Sequence, residues 1–181
     1  MMMNPLAKSA QRMDFRRFEM KANQGQYLTF FLNKQEYGVS IGTVREINQV
    51  LNITPVPQTP SFVAGVMNLR GKVIPVVNLR KKFNMESIDH TKQTCIIVIE
   101  TENTQVGMIV DSVHGVVDLK NEQIEEAPVM GEESKMAFIM GMGKTEDSVV
   151  ILIDIQKALS KDELSKMEAM SSDKTSTANT P

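Results

Sequence analysis

Residues 62–83, FVAGVMNLRGKVIPVVNLRKKF, lie without a gap over residues 138–159, FIMGMGKTEDSVVILIDIQKAL. Phe62 falls on Phe138, Gly65 on Gly141, the run VIPVV on VVILI, Asn78 on Asp154 and Leu79 on Ile155. Upstream, YGVSIGTVREI resembles VGMIVDSVHGV, with Val44 on Val113 and Ile47 on Val116. From Gly38 to Gly107 the offset is 69, and from Gly65 to Gly141 it is 76, so the second half carries about seven extra residues in a loop. The chain therefore contains two subdomains of similar fold.

Around the repeat the pattern is mostly β. Tyr27, Thr29 and Phe31 alternate with Leu28, Phe30 and Leu32, a β-branched and aromatic run suited to a strand partly covered on both faces. Residues 33–36 supply a polar hairpin. Further strands are expected over residues 36–41, 44–51, 63–69, 72–77, 94–101, 105–110, 113–119, 138–141 and 149–153. Many short strands with turn signals between them favour barrels or a sandwich over a layered α/β fold. Pro75 inside VIPVV lacks a backbone donor, which predicts an edge strand or a bulge there. Single helical turns are expected over residues 79–83 and 155–159. Ser160 and Glu163 have capping-box spacing and Leu164 and Met167 lie three apart, so a short C-terminal helix is expected over residues 160–170. The expected class is all-β, two pseudo-symmetric five-stranded barrels packed side by side. The first takes residues 26–83 with a crossover and the second residues 94–159. Closing five strands on themselves leaves few free edges.

At 181 residues with 41% apolar content, the chain can build a genuine core. Twenty Lys and Arg against twenty-two Asp and Glu leave a formal charge of −2, so no chain-wide basic field exists to hold nucleic acid. One cysteine makes no internal disulfide, and no secretory or membrane-spanning run is read, which suggests a cytoplasmic protein. Residues 1–25 are read as a mobile arm, in which Lys8, Arg12, Arg16, Arg17 and Lys21 outnumber Asp14 and Glu19 and could touch an acidic partner. Residues 171–181, SSDKTSTANTP, have nothing to bury and are read as a disordered tail.

Catalytic and metal chemistry find no support in the spacing. His90 and His114 have no companion ligands at metal-binding spacing, and no cofactor is expected. GMGKT at residues 141–145 ends like a phosphate-binding loop, but Phe138 stands where the first glycine is needed and a strand follows, so a hairpin turn is expected. Cys95 in TCIIVIE is read as a buried small hydrophobe. The glycosylation-like triplet at residues 52–54 has no consequence without a secretory signal. Arg70, Lys72, Arg80, Lys81 and Lys82 gather in the first half, which makes a small-barrel nucleic-acid-binding protein the alternative reading. An aromatic content of 5% with no tryptophan provides few stacking platforms for it.

The order of landmarks, YLTFFLNKQEYGVSIGTVREI, then NLRG with IPVVNLR, then VGMIVDSVHGV, resembles the CheW family of chemotaxis coupling proteins over residues 26–159. The family usually carries Asp where Asn78 stands; amide and carboxylate accept the same backbone hydrogen bond, so the fold is expected to survive. The resemblance implies two SH3-like barrels with a groove between them. It also implies a non-catalytic adaptor joining transmembrane chemoreceptors to their histidine kinase, cytoplasmic and recruited to membrane receptor arrays. Residue by residue, it places Val44 and Glu46 on a kinase-facing edge and Val110 and Val113, beside Asp111, at a receptor-tip groove. It gives Arg70 a role in coupling, Gly65 a structural role in the first barrel, and makes Glu46 and Arg70 partners on adjoining strands.

Overall fold

Two-residue turns with both members at positive φ set two of the hairpins. Asn33 and Lys34 (φ 51° and 69°) join β1 (Gln26–Leu32) to β2 (Gln35–Ser40), and Arg70 and Gly71 (φ 52° and 88°) join β4 (Val63–Leu69) to β5 (Lys72–Asn78). This backbone twist matches that of the strands it links. The computed structural model describes residues 25–50, 52–126 and 138–171. The arm up to residue 24, Leu51, residues 127–137 and all of the tail but Ser171 lie outside these residues. The remaining elements are β3 (Val44–Gln49), α1 (Leu79–Lys82), β6 (Cys95–Glu100), β7 (Gln105–Val110), β8 (Ser112–Asp118), β9 (Ile124–Glu125), β10 (Ile139–Lys144), β11 (Val149–Ile153), α2 (Ile155–Ala158) and α3 (Lys161–Met170).

The strands form two mixed sheets, ordered β8-β1-β2-β11-β10-β9 and β3-β6-β7-β5-β4. Under the internal repeat the first five strands of one order correspond to the five of the other, and β9 makes the first sheet six-stranded where five strands were expected, but neither sheet is one half of the chain. The expectation of a first barrel over residues 26–83 and a second over 94–159 is therefore corrected. Each barrel takes one hairpin from one half and the remaining strands from the other. The hairpin β1-β2 pairs with β8 and β11, and the hairpin β6-β7 pairs with β3 and β5. The physical cause is the turn Ile41–Thr43, which carries the chain out of the first sheet and buries Ile41 between the two.

Side chains alternate accordingly. Met67, Ile74, Val76, Ile96, Val98 and Ile109 fill one barrel. Leu119, Val150 and Leu152 fill the other. The opposite faces of the same strands, including Leu28, Phe30, Leu32, Ile97, Ile99 and Met108, pack in a central core that joins the barrels. Exchanged hairpins and a shared core make the barrels one packing unit.

Details follow the repeat. Asn78 N donates to Phe62 O and Asp154 N to Phe138 O, both at 2.8 Å. Asn78 Oδ1 accepts from Lys81 N at 3.2 Å to cap α1, and Asp154 Oδ1 accepts from Gln156 N at 3.0 Å to cap α2, so the amide keeps the capping bond. Pro75 is not on an edge strand, since β5 lies between β4 and β7. Val66, its partner, uses its N–H and C=O on Thr54, and the ladder with β7 begins only at Val76, so Pro75 interrupts neither pairing. The GMGKT run is the end of β10 and its hairpin turn, closed by Thr145 N donating to Ser148 O at 2.9 Å. Ser160 and Glu163 form the capping box of α3, whose Met167 is fully buried in the central core.

Candidate functional site

The NLRG turn is built by its own residues. Asn68 Oδ1 accepts from Gly71 N at 2.8 Å, which locks the tight turn, and Arg70 is held in the left-handed region. A non-glycine residue there costs roughly 1–2 kcal/mol. The conformation aims the guanidinium at β3, where Arg70 Nη1 donates to Glu46 Oε1 at 3.1 Å and Nη2 donates to Oε2. Asn48 Nδ2 donates to Glu46 Oε1 at 2.9 Å and fixes the carboxylate from the other side. Sequence reasoning brings the right two residues together but misplaces them. Arg70 is in a turn, and β3 and β4 are the two edges of their sheet. The pair thus bridges the seam along which the barrel closes.

Burial pushes the Glu46 carboxyl up, but the bonds from Arg70 and Asn48 outweigh this and hold it below the ordinary glutamate range. Arg70 is 71% exposed and Glu46 19%, so solvent screens the attraction. A double-mutant cycle on Glu46→Ala and Arg70→Ala, followed by urea unfolding, is expected to give a coupling below about 1 kcal/mol but distinct from zero. Strict additivity would refute the pairing.

Along the same seam, Thr54 forms a two-bond bridge with Val66 at 2.8 and 2.9 Å. Its carbonyl passes directly over Gly65, which has φ 140°. In the other barrel β9 crosses Gly141 in the same way, with Glu125 O only 2.8 Å from where a Cβ would stand. Gly65 is therefore the point where the segment around Thr54 touches β4.

The three valines take another place. Val44, Val110 and Val113 are 0%, 1% and 3% exposed and belong to the central core. Their side chains pack between the sheets and are closed to a partner, so direct contact through them is corrected to a packing role. VDSV is also not confined to one barrel. Val110 ends β7, in the same sheet as Val44, whereas Val113 lies on β8 in the other sheet.

Between these strands stands a polar centre that sequence reasoning missed. Arg80 Nε donates to Asp111 Oδ1 at 2.8 Å, its Nη2 donates to Oδ2 at 2.6 Å, and its Nη1 donates to Glu86 O at 2.8 Å. Asn33 N adds a bond to Asp111 Oδ2 at 2.9 Å. The signal available was departure from the repeat, since Arg80 aligns with Gln156 and Asp111 with Gly42. Burial pushes the Asp111 carboxyl up, but Arg80 and the Asn33 amide prevail and hold it low, while the hydrogen bond with Asp111 raises Arg80.

Much of the basic cluster is engaged in ion pairs within the chain. Arg70 pairs with Glu46, Arg80 with Asp111, and Lys82 with Glu163 at 2.8 Å while lying over the Phe62 ring. Three of the five cations thus each have a carboxylate partner, which weakens the positive stripe that a nucleic-acid backbone favours. Cys95 is buried, and burial pushes its thiol up. Among the described residues no helix is long and apolar enough to cross a membrane.

The CheW-like domain family model matches residues 26–163. The chain is 35% identical over 143 residues to the chemotaxis protein CheW of Klebsiella aerogenes, covering 79% of this chain and 86% of that one. It is 36% identical over 137 residues to the chemotaxis protein CheW of Thermotoga maritima, covering 74% and 87%. The crystal structure of the scaffolding protein TtCheW from Thermoanaerobacter tengcongensis superposes with a TM-score of 0.66 at 36% identity, covering 72% of this chain and 88% of that one.

Proposed function

This chain belongs to the CheW family, and from that premise we propose that it is a non-catalytic chemotaxis adaptor that couples chemoreceptors to the chemotaxis histidine kinase. The observation that carries the reading is the extent of the match, since residues 26–163 take in both interleaved barrels. It acts in the cytoplasm and is recruited to receptor arrays through its partners. The kinase regulatory domain docks on the barrel seam, where the Glu46–Arg70 pair lies at the surface. The receptor tip lies against the surface above Val110 and Val113, whose packing sets its shape. In this reading Val44 supports the kinase-facing edge from beneath.

The test is binding of the intact chain to the kinase regulatory domain and, separately, to a receptor-tip fragment. Arg70→Glu should weaken kinase-domain binding about thirtyfold or more, as loss of a central contact does, and leave receptor-tip binding near normal. Because Arg70 is exposed, the variant should remain folded. Failure to bind either partner, or salt-dependent binding of mixed oligonucleotides in their place, would overturn the adaptor reading.

A further inference from the structure

A cleft of about 270 Å³ opens where the end of β2, the end of β6, β10 and the β11–α2 junction meet. Val39, Ile99, Ile153 and Ile155 line it, and Met140, 49% exposed, stands at its edge. The two charged residues of its lining, Glu100 and Asp154, are both acidic. Glu102, a further acidic residue, adjoins the lining through its backbone, whose N–H donates to Gln156 Oε1 at 2.9 Å. Glu100 is shared with Arg45 at 2.6 Å, and Asp154 caps α2. The volume lies below that of ordinary small-molecule sites and suits one or two large side chains.

The beginning of β1 is beside this cleft. Tyr27 pairs with Ser40, which lines it, so the chain preceding Gln26 leaves the fold one strand away, about 5 Å. That preceding chain carries five cations against two anions, and its residues 15–18 read Phe-Arg-Arg-Phe. Two aromatic rings flanking two guanidinium groups complement an apolar floor with an acidic lining. The eight residue-to-residue steps from Phe18 to Gln26 span up to about 27 Å, more than enough to reach.

We propose that residues 15–18 of the N-terminal arm occupy this cleft, with Phe15 or Phe18 on the apolar floor and Arg16 and Arg17 against Glu100, Asp154 and Glu102. The arm is then an intramolecular occupant of a surface that any outside partner must compete for. This inference does not rest on the adaptor reading, and either can fail alone.

The test uses the full chain carrying Phe18→Cys with Met140→Cys, compared with Phe18→Cys with Val149→Cys. Val149 is exposed on the same hairpin but at its far end, opposite Lys144. Buried Cys95 stays in both as an inert background. Under mild oxidation at low protein concentration, the intramolecular disulfide at position 140 should form at least about tenfold faster than that at 149, because docking raises the local concentration at one site only. Adding Arg16→Glu and Arg17→Glu should bring the first rate down to the second. Equal rates at the two positions, a rate at 140 unmoved by charge reversal, or disulfide-linked dimers in place of the internal bond would each overturn the proposal, the last by making a second copy the occupant.

Discussion

Gly65→Ala is expected to be the most damaging single methyl group in the molecule, with a loss of about 4 kcal/mol or more, enough to leave most of the chain unfolded at 37 °C. The added Cβ would sit on the Thr54 carbonyl, 2.7 Å from its carbon and 2.9 Å from Pro55 Cα. All of these are backbone atoms that cannot rotate away. The φ of 140° adds strain for any L side chain. Relief requires the Thr54–Val66 bridge to open, and with it the seam that Glu46 and Arg70 close. Gly141→Ala meets Glu125 O at 2.8 Å and a flexible Ile124 methyl at 2.9 Å, so it should cost clearly less. Urea unfolding of the two variants side by side checks the ranking; equal, mild losses would show that Thr54 does not cross Gly65 in solution.

Gly65 was legible because the repeat sets it on Gly141 and the resemblance gives it a structural role, although the contact that demands a glycine there, with Thr54, is not local. The β1-β2 and β4-β5 hairpins were legible from local signals, since each is set by a two-residue turn and its alternating neighbours. Which hairpin completes which barrel was not. The repeat aligns equally well whether each half closes on itself or exchanges β1-β2 for β6-β7, so the alignment carries no information on the exchange. That choice is made by long-range burial, with Ile41 and Val44 turned inward between the sheets. The valines illustrate the same limit, because a valine in a half-covered strand has no sequence mark telling core from surface. The two-residue β9 was missed since so short a strand has no period to read. Glu46 and Arg70 were paired from the resemblance and opposite charge, yet only the fold shows that they bridge two edges.

The Arg80–Asp111 centre should govern stability in acid. The Arg80 side chain is 11% exposed and that of Asp111 22%, so each depends on the other for solvation. Asp111→Ala removes the carboxylate but leaves the guanidinium enclosed with only the Glu86 carbonyl of its former partners. Breaking such a pair from one side costs roughly 3–5 kcal/mol. Arg80→Met together with Asp111→Ala should be less harmful than Asp111→Ala alone, because the stranded charge goes with its partner. The pH dependence has a definite sign. The folded Asp111 carboxyl is held below its unfolded value of about 3.9, so its contribution is complete above that pH and disappears as pH falls through the lower folded value. Glu46 and Glu163 are also held low, the latter by Lys82 and Ser160 against the opposing effect of burial, and act in the same direction. The informative quantity is therefore the difference between the native chain and Asp111→Ala, which should be constant from pH 7 to about 5 and shrink below about pH 4. Urea midpoints measured across that range decide it: a difference that persists undiminished at pH 2, or a loss below about 1 kcal/mol at pH 7, would show that the pair does not hold the β1-β2 turn, the β7-β8 link and α1 together.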